Sequence, residues 1–134
     1  GIPAAHEALE RDDQGRCRYL GYLIQFDEWT LYHSGDTVVF EGLAEILSKH
    51  SIDVAMLPIN GSAPERRVAG NMNGEEAVEL AAASGIKMVI PCHFDMFEFN
   101  TVKPDEFISS ALKKDQRIAL LQNGEAWIGS QSDL

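Results

Sequence analysis

Four short apolar runs, "YLGYLIQF" (19–26), "WTLYH" (29–33), "DVAMLPI" (53–59) and "IKMVIP" (86–91), are interleaved with stretches of helical periodicity. This alternation constrains the fold more than any other feature. Runs of this length bounded by turn residues read as strands. Asp27 and Glu28 close a tight turn between the first two, and Pro58 marks the end of the third. Phe40, Leu43, Ala44 and Leu47 recur at helical spacing and predict a helix near 41–49. Asn73 with Glu76 three residues later predicts an N-terminal cap, the helix runs through "EEAVELAAAS", and Gly85 stops it. After the fourth strand, "CHFDMFEFNTVK" (92–103) is irregular and Pro104 opens a further helix. Asp105 and Glu106 suit the positive end of that helix, and Lys113 and Lys114 its negative end. "RIALLQ" and "EAWIG" flank Asn123-Gly124, a type I′ hairpin signal, and the tail "SQSDL" reads as frayed. The order is that of an α/β protein.

Composition narrows the choice. With 134 residues and 45% hydrophobic content the chain reads as one domain, 1–134, with enough apolar material for a core. A net charge of −10 excludes nucleic acid or an anionic membrane as the main partner, since both reward clustered Lys and Arg. No stretch approaches the roughly 20 apolar residues of a membrane span, and no signal peptide is visible. Cys17 and Cys92 form no CxxC pair, which fits a reducing cytoplasm. The start on Gly1 instead of Met fits a processed, tagged or truncated product.

In open α/β sheets, chemistry gathers at the carboxyl ends of the strands. Three loops that follow apolar segments carry candidate ligands: "PAAHE" with His6, "YHSGDT" with Asp36 and "VIPCHFD" with His93. Neutral imidazole and carboxylate are ligand types for Zn, Fe or Mn. Taken alone, such a residue is more often a cap or a satisfied polar group; three at equivalent positions shift the balance toward a site.

The segments "YHSGDT", "IDVAMLPING", "GNMNGEEAVELA" and "VIPCHFDMFEFNT" together resemble the second half of metallo-β-lactamase-fold hydrolases, in the branch related to L-ascorbate-6-phosphate lactonase. The resemblance runs from His6 to about Phe107. It implies half of an αββα sandwich, a mixed sheet covered by helices, with one or two divalent transition-metal ions at one edge. It further implies that His6 completes the first metal's histidine set, that Asp36 bridges the two ions, and that His93 binds the second. Asp36 and His93 are then the catalytic pair, and Gly35 lets the backbone turn beside Asp36. The superfamily's His-x-His-x-Asp-His string is missing from this sequence, so only about half a site is present. The chain is then a fragment, or the other ligands come from another polypeptide, or the module no longer catalyses; the Gly1 start favours the first. In a complete site a metal-activated water attacks a lactone ester, or in other branches a β-lactam, a thioester or a phosphodiester.

Other residues carry paired readings. Arg66 and Arg67 form either a fork for an anionic small-molecule substrate or a solvated pair. Asn71 could donate to substrate, whereas Asn73 is spent on the helix cap. Asp95 either orients a ligand histidine or closes its turn, and His33 either supports the Asp36 turn or packs at a strand edge. His50 reads as a favourable cation at a helix end. Cys92 reads as a small buried thiol, not a nucleophile. Met96, Phe97 and Phe99 read as core packing before pocket lining. Two functions remain: a metal-dependent hydrolase, lactonase-like or a phosphodiesterase, and a non-catalytic binding or assembly module. The strands "YLGYLIQF" and "DVAMLPI" are apolar on nearly every residue, as in strands covered on both sides. The helices can cover one side only, so the chain is expected to self-associate as a homo-oligomer or to need a missing N-terminal half.

Overall fold

Six strands form one mixed sheet whose spatial order is the order of the chain. They are β1 (Ile2–Ala4), β2 (Tyr19–Phe26), β3 (Trp29–His33), β4 (Val54–Pro58), β5 (Met88–Cys92) and β6 (Arg117–Ile118). The computed structural model describes residues 1–66 and 70–134. β1–β2 and β2–β3 pair antiparallel, and β3 to β6 are parallel. Only β2 therefore runs against the rest, and the carboxyl ends of β1, β3, β4, β5 and β6 share one edge.

Three helices, α1 (Leu43–Leu47), α2 (Gly74–Ser84) and α3 (Asp105–Lys114), supply the partners for one face of that sheet. Alternate residues of the strands, Tyr32, Ala55, Leu57 and Val89, meet Leu43, Leu47, Ala77, Val78, Ala81, Phe107 and Ala111 in one buried cluster. The predicted capping box is present: Glu76 N–H donates to Asn73 Oδ1 at 2.8 Å and Asn73 N–H to Glu76 Oε2 at 2.9 Å. α3 has no side-chain cap at Pro104, but Glu106 in its first turn accepts the Gly74 N–H at 3.0 Å. The start of α2 is thereby fastened to the start of α3. Asp53 fastens the opposite end of the sheet, accepting from Thr30 N–H and from Lys87 Nζ, both at 2.7 Å.

The helices cover only one side of β2, as expected: Tyr22, Ile24 and Phe26 stand 56%, 47% and 49% exposed on the other face. Their side of the sheet continues through Trp29, Leu31, Met56 and Ile90 into an apolar groove that Trp127 partly closes. The rings of Trp29 and Trp127 meet edge to face at 5.8 Å. The hairpin at Asn123-Gly124 does not form. Gly124 alone takes positive φ (85°), where type I′ needs it at both central residues, so 122–125 close a simple turn and 125–129 run as no strand. Met96, Phe97 and Phe99 are not core residues but exposed ones on an irregular loop. The tail is also more ordered than a frayed end, with a 3₁₀ turn at Gln131–Asp133 in which Ser130 N–H donates to the Asp133 carboxylate.

Candidate metal centre at the carboxyl edge of the sheet

The shared direction of β1, β3 and β5 delivers His6, Asp36 and His93 to one edge, each one to three residues beyond its strand. There they meet. His6 Nε2 lies 3.7 Å and His93 Nε2 3.4 Å from the same atom, Asp36 Oδ2. The Asp36 side chain is 47% exposed, whereas that of His93 is only 17% exposed, so the carboxylate faces solvent with an imidazole on either side.

Local backbone geometry explains how Asp36 is presented. The chain leaves β3 through Ser34, whose N–H donates to Met56 C=O at 3.2 Å, and turns at Gly35 with φ 64°. Gly35 N–H donates to His33 Nδ1 at 3.0 Å, so His33 shapes this turn from the strand side. The neighbouring strand β2 approaches closely beside it: a Cβ on Gly21 would stand 2.8 Å from Ser34 C=O. His93 itself has φ 60°, a left-handed conformation that costs a non-glycine residue about 1–3 kcal/mol and that gathers at functional sites.

The donor set suits a divalent transition metal in part. Two imidazole nitrogens and a carboxylate are the right ligand types, and they converge without help from any other chain. Yet no three His, Cys, Asp or Glu side chains among the described residues form a complete metal-binding group. The three meet pairwise through Asp36, as part of a ligand set and not as a closed cage. His93 Nδ1 is buried and, among the described residues, has no hydrogen-bond partner behind it. The Asp95 carboxylate does not reach His93 Nδ1, and the Asp95 N–H donates to Thr101 Oγ1.

The residues read as substrate contacts lie elsewhere. Arg66 Nη1 donates to Asn60 C=O and, at 3.4 Å, to Asn100 Oδ1. Asn71 is buried and donates to Asn60 Oδ1 at 2.9 Å, leaving its own Oδ1 unpartnered. This amide network fastens the loop after β4, so the structure gives Arg66 and Asn71 internal partners and does not bring them to Asp36. Arg67 lies outside the described residues. The groove beside His6 and Asp36 is lined instead by Arg18, Tyr19 and Leu20, with the Tyr19 ring 5.7 Å from that of His6. Arg18 also pairs loosely with Glu10 at 3.6 Å. Sequence reasoning passed over these residues because they precede or begin an apolar strand and carry no motif.

On the other side of the site, Cys92, His93, Asp95 and Met96 line a cleft closed by Leu121, Gln122 and Asn123. Burial, with the Asp36 carboxylate adding to it, pushes the Cys92 thiol up to about 12, which makes it a poor nucleophile.

A mixed sheet, helices on one face and a His–Asp–His constellation at its carboxyl edge define a protein of the metallo-β-lactamase fold class. The chain belongs to the β-lactamase superfamily, whose domain model matches residues 1–94. It is 32% identical over 129 residues to a UPF0173 metal-dependent hydrolase of Methanoculleus marisnigri, covering 92% of this chain and 54% of that protein. A second UPF0173 metal-dependent hydrolase, from Archaeoglobus fulgidus, is 30% identical over 132 residues, covering 94% of this chain and 54% of that one. Among solved structures, Igni18, a metallo hydrolase from Ignicoccus hospitalis, superposes with a TM-score of 0.68 at 26% identity, over 92% of this chain and 48% of that one. The chain thus spans about half the length of the curated relatives it matches.

Proposed function

We propose that this chain is part of a metal-dependent hydrolase in which His6, Asp36 and His93 hold part of a divalent transition-metal site, Zn, Mn or Fe, with one or two ions. The observation that carries the reading is the meeting of two imidazole nitrogens on one carboxylate oxygen at the sheet edge. The metal, when bound, supplies an acidified water and a Lewis acid for the substrate oxygen. The chain's own residues do the rest. Asp36 would contribute the negative charge that offsets a bound cation. His6 and His93 contribute neutral nitrogens, fixed by β1 and β5 behind them. Arg18 offers a positive charge in the groove beside them, suited to an anionic small molecule. An ester of the lactone type is the substrate class we assign, on the sequence resemblance to the lactonase branch.

The test uses the full-length product of the encoding gene. Stoichiometric transition metal that survives mild dialysis, together with lactone turnover lost on chelation and restored by metal, is the expected result. A product that takes up no metal would return the chain to the class of binding or assembly modules. Metal-dependent cleavage of phosphodiesters with no action on lactones would move the substrate assignment alone.

A further inference from the structure

His6 and Asp36 come from opposite sides of β2, and something must hold their loops in register. Thr37 does this. Its side chain is fully buried, and Oγ1 accepts the Ala5 N–H at 2.9 Å while donating to Val38 C=O at 2.9 Å. The tie is reciprocal, since Val38 N–H donates to Ala5 C=O at 2.8 Å. Thr37 C=O also accepts the Met72 N–H at 3.0 Å, joining the loop after β4 to the same point. One residue thus touches the neighbour of His6, follows Asp36 directly, and anchors both to the loop before α2. Without the hydroxyl, the Ala5 N–H would be buried with no acceptor, and the cheapest relief is for the His6 loop to move away from Asp36.

We infer that Thr37 is the positioning residue that sets His6 against the Asp36 carboxylate, an inference that rests on the metal-site reading above. Its hydroxyl is the essential group; the methyl only fills space. Serine should therefore replace it and valine should not.

The experiment measures Co²⁺ binding to the full chain by its visible absorption, and exchange of the Ala5 amide by NMR in the metal-free chain. Thr37→Val should lose Ala5 protection and bind Co²⁺ about 10-fold more weakly or worse, while Thr37→Ser should stay near wild type in both. Thr37→Ala replaces the valine variant if that one does not fold. Val78→Ala, a buried change away from the site, should lower the melting temperature and leave Co²⁺ affinity alone, which separates positioning from loss of stability. Equal Co²⁺ affinity in wild type and Thr37→Val would overturn the inference. So would a serine variant as impaired as the valine one. Wild-type chain that takes up no Co²⁺ would overturn the metal reading itself, and the role of Thr37 with it.

Discussion

His93 faces Asp36 through Nε2 at 3.4 Å, from a left-handed conformation at the end of β5, while its buried Nδ1 has no hydrogen-bond partner among the described residues. Asp36 is therefore the hub of the site: the same oxygen that His93 approaches also meets His6 at 3.7 Å.

Replacing that hub should be costly for metal and cheap for the fold. Asp36→Asn keeps the shape but removes the charge that offsets a cation, and the side chain is nearly half exposed, so little packing is lost. Metal content and turnover of the full-length protein should fall together, with the melting temperature almost unchanged. Normal metal loading in this variant would disprove the assignment of Asp36.

Arg66 should behave as a structural residue. Its guanidinium donates to Asn60 C=O and Asn100 Oδ1, and charge-assisted bonds of this kind are worth about 1.5–3 kcal/mol. Arg66→Ala should lower stability in urea melts by an amount of that order, and any loss of activity should be the same for anionic and neutral substrates. Selective loss on anionic substrates, with stability unchanged, would put the guanidinium back in the binding site.

Cys92 gives a pH signature. Burial, together with the Asp36 carboxylate, pushes its thiol up to about 12 from the ordinary 9.0. The unfolded chain therefore sheds this proton first. The stabilisation is complete below pH 9 and is lost as pH rises toward 12. At pH 8 the folded chain carries roughly a thousandth of the thiolate of an unperturbed cysteine, so iodoacetamide should label Cys92 quickly only after unfolding. Fast labelling of Cys92 in the native chain would show that the thiol is neither buried nor raised.

The open face of β2 predicts association. Tyr22, Ile24 and Phe26 line up with His33, Leu31 and Trp29 on the face without helices, an apolar strip of the kind that seeks cover. At micromolar concentration this chain should scatter light as an oligomer, and Ile24→Lys with Phe26→Lys should return it toward monomer while leaving the helix-side core intact. A wild-type chain that stays monomeric would contradict this prediction.

Much of the architecture was readable from local signals. Asn73, Glu76 and Gly85 bracket α2 as expected, because a cap is decided by a few neighbouring residues. Asp36, His6 and His93 could be picked out as loop residues after apolar segments; that they converge follows from β2 being the sole reversed strand, which no local signal announces. Which face of a strand is covered was not readable either. Ile24 and Leu57 are equally apolar in sequence, and only the placement of the helices leaves one exposed and the other buried. Asn123-Gly124 failed for a related reason: the dipeptide permits a type I′ turn, but the residues after it are drawn onto the sheet face, where Trp127 packs on Trp29. Arg66 and Arg67 illustrate the limit for charges, since an arginine donates as readily to a backbone carbonyl as to a substrate.

The strict succession of strands, each laid beside its immediate predecessor in the chain, bears on how the protein is made. A ribosome extruding this sequence never has to leave a gap for a strand that comes later, so the sheet can grow at one edge as synthesis proceeds. His93 arrives only with β5, so the three residues proposed to share a cation cannot meet until most of the helix-covered layer has been built.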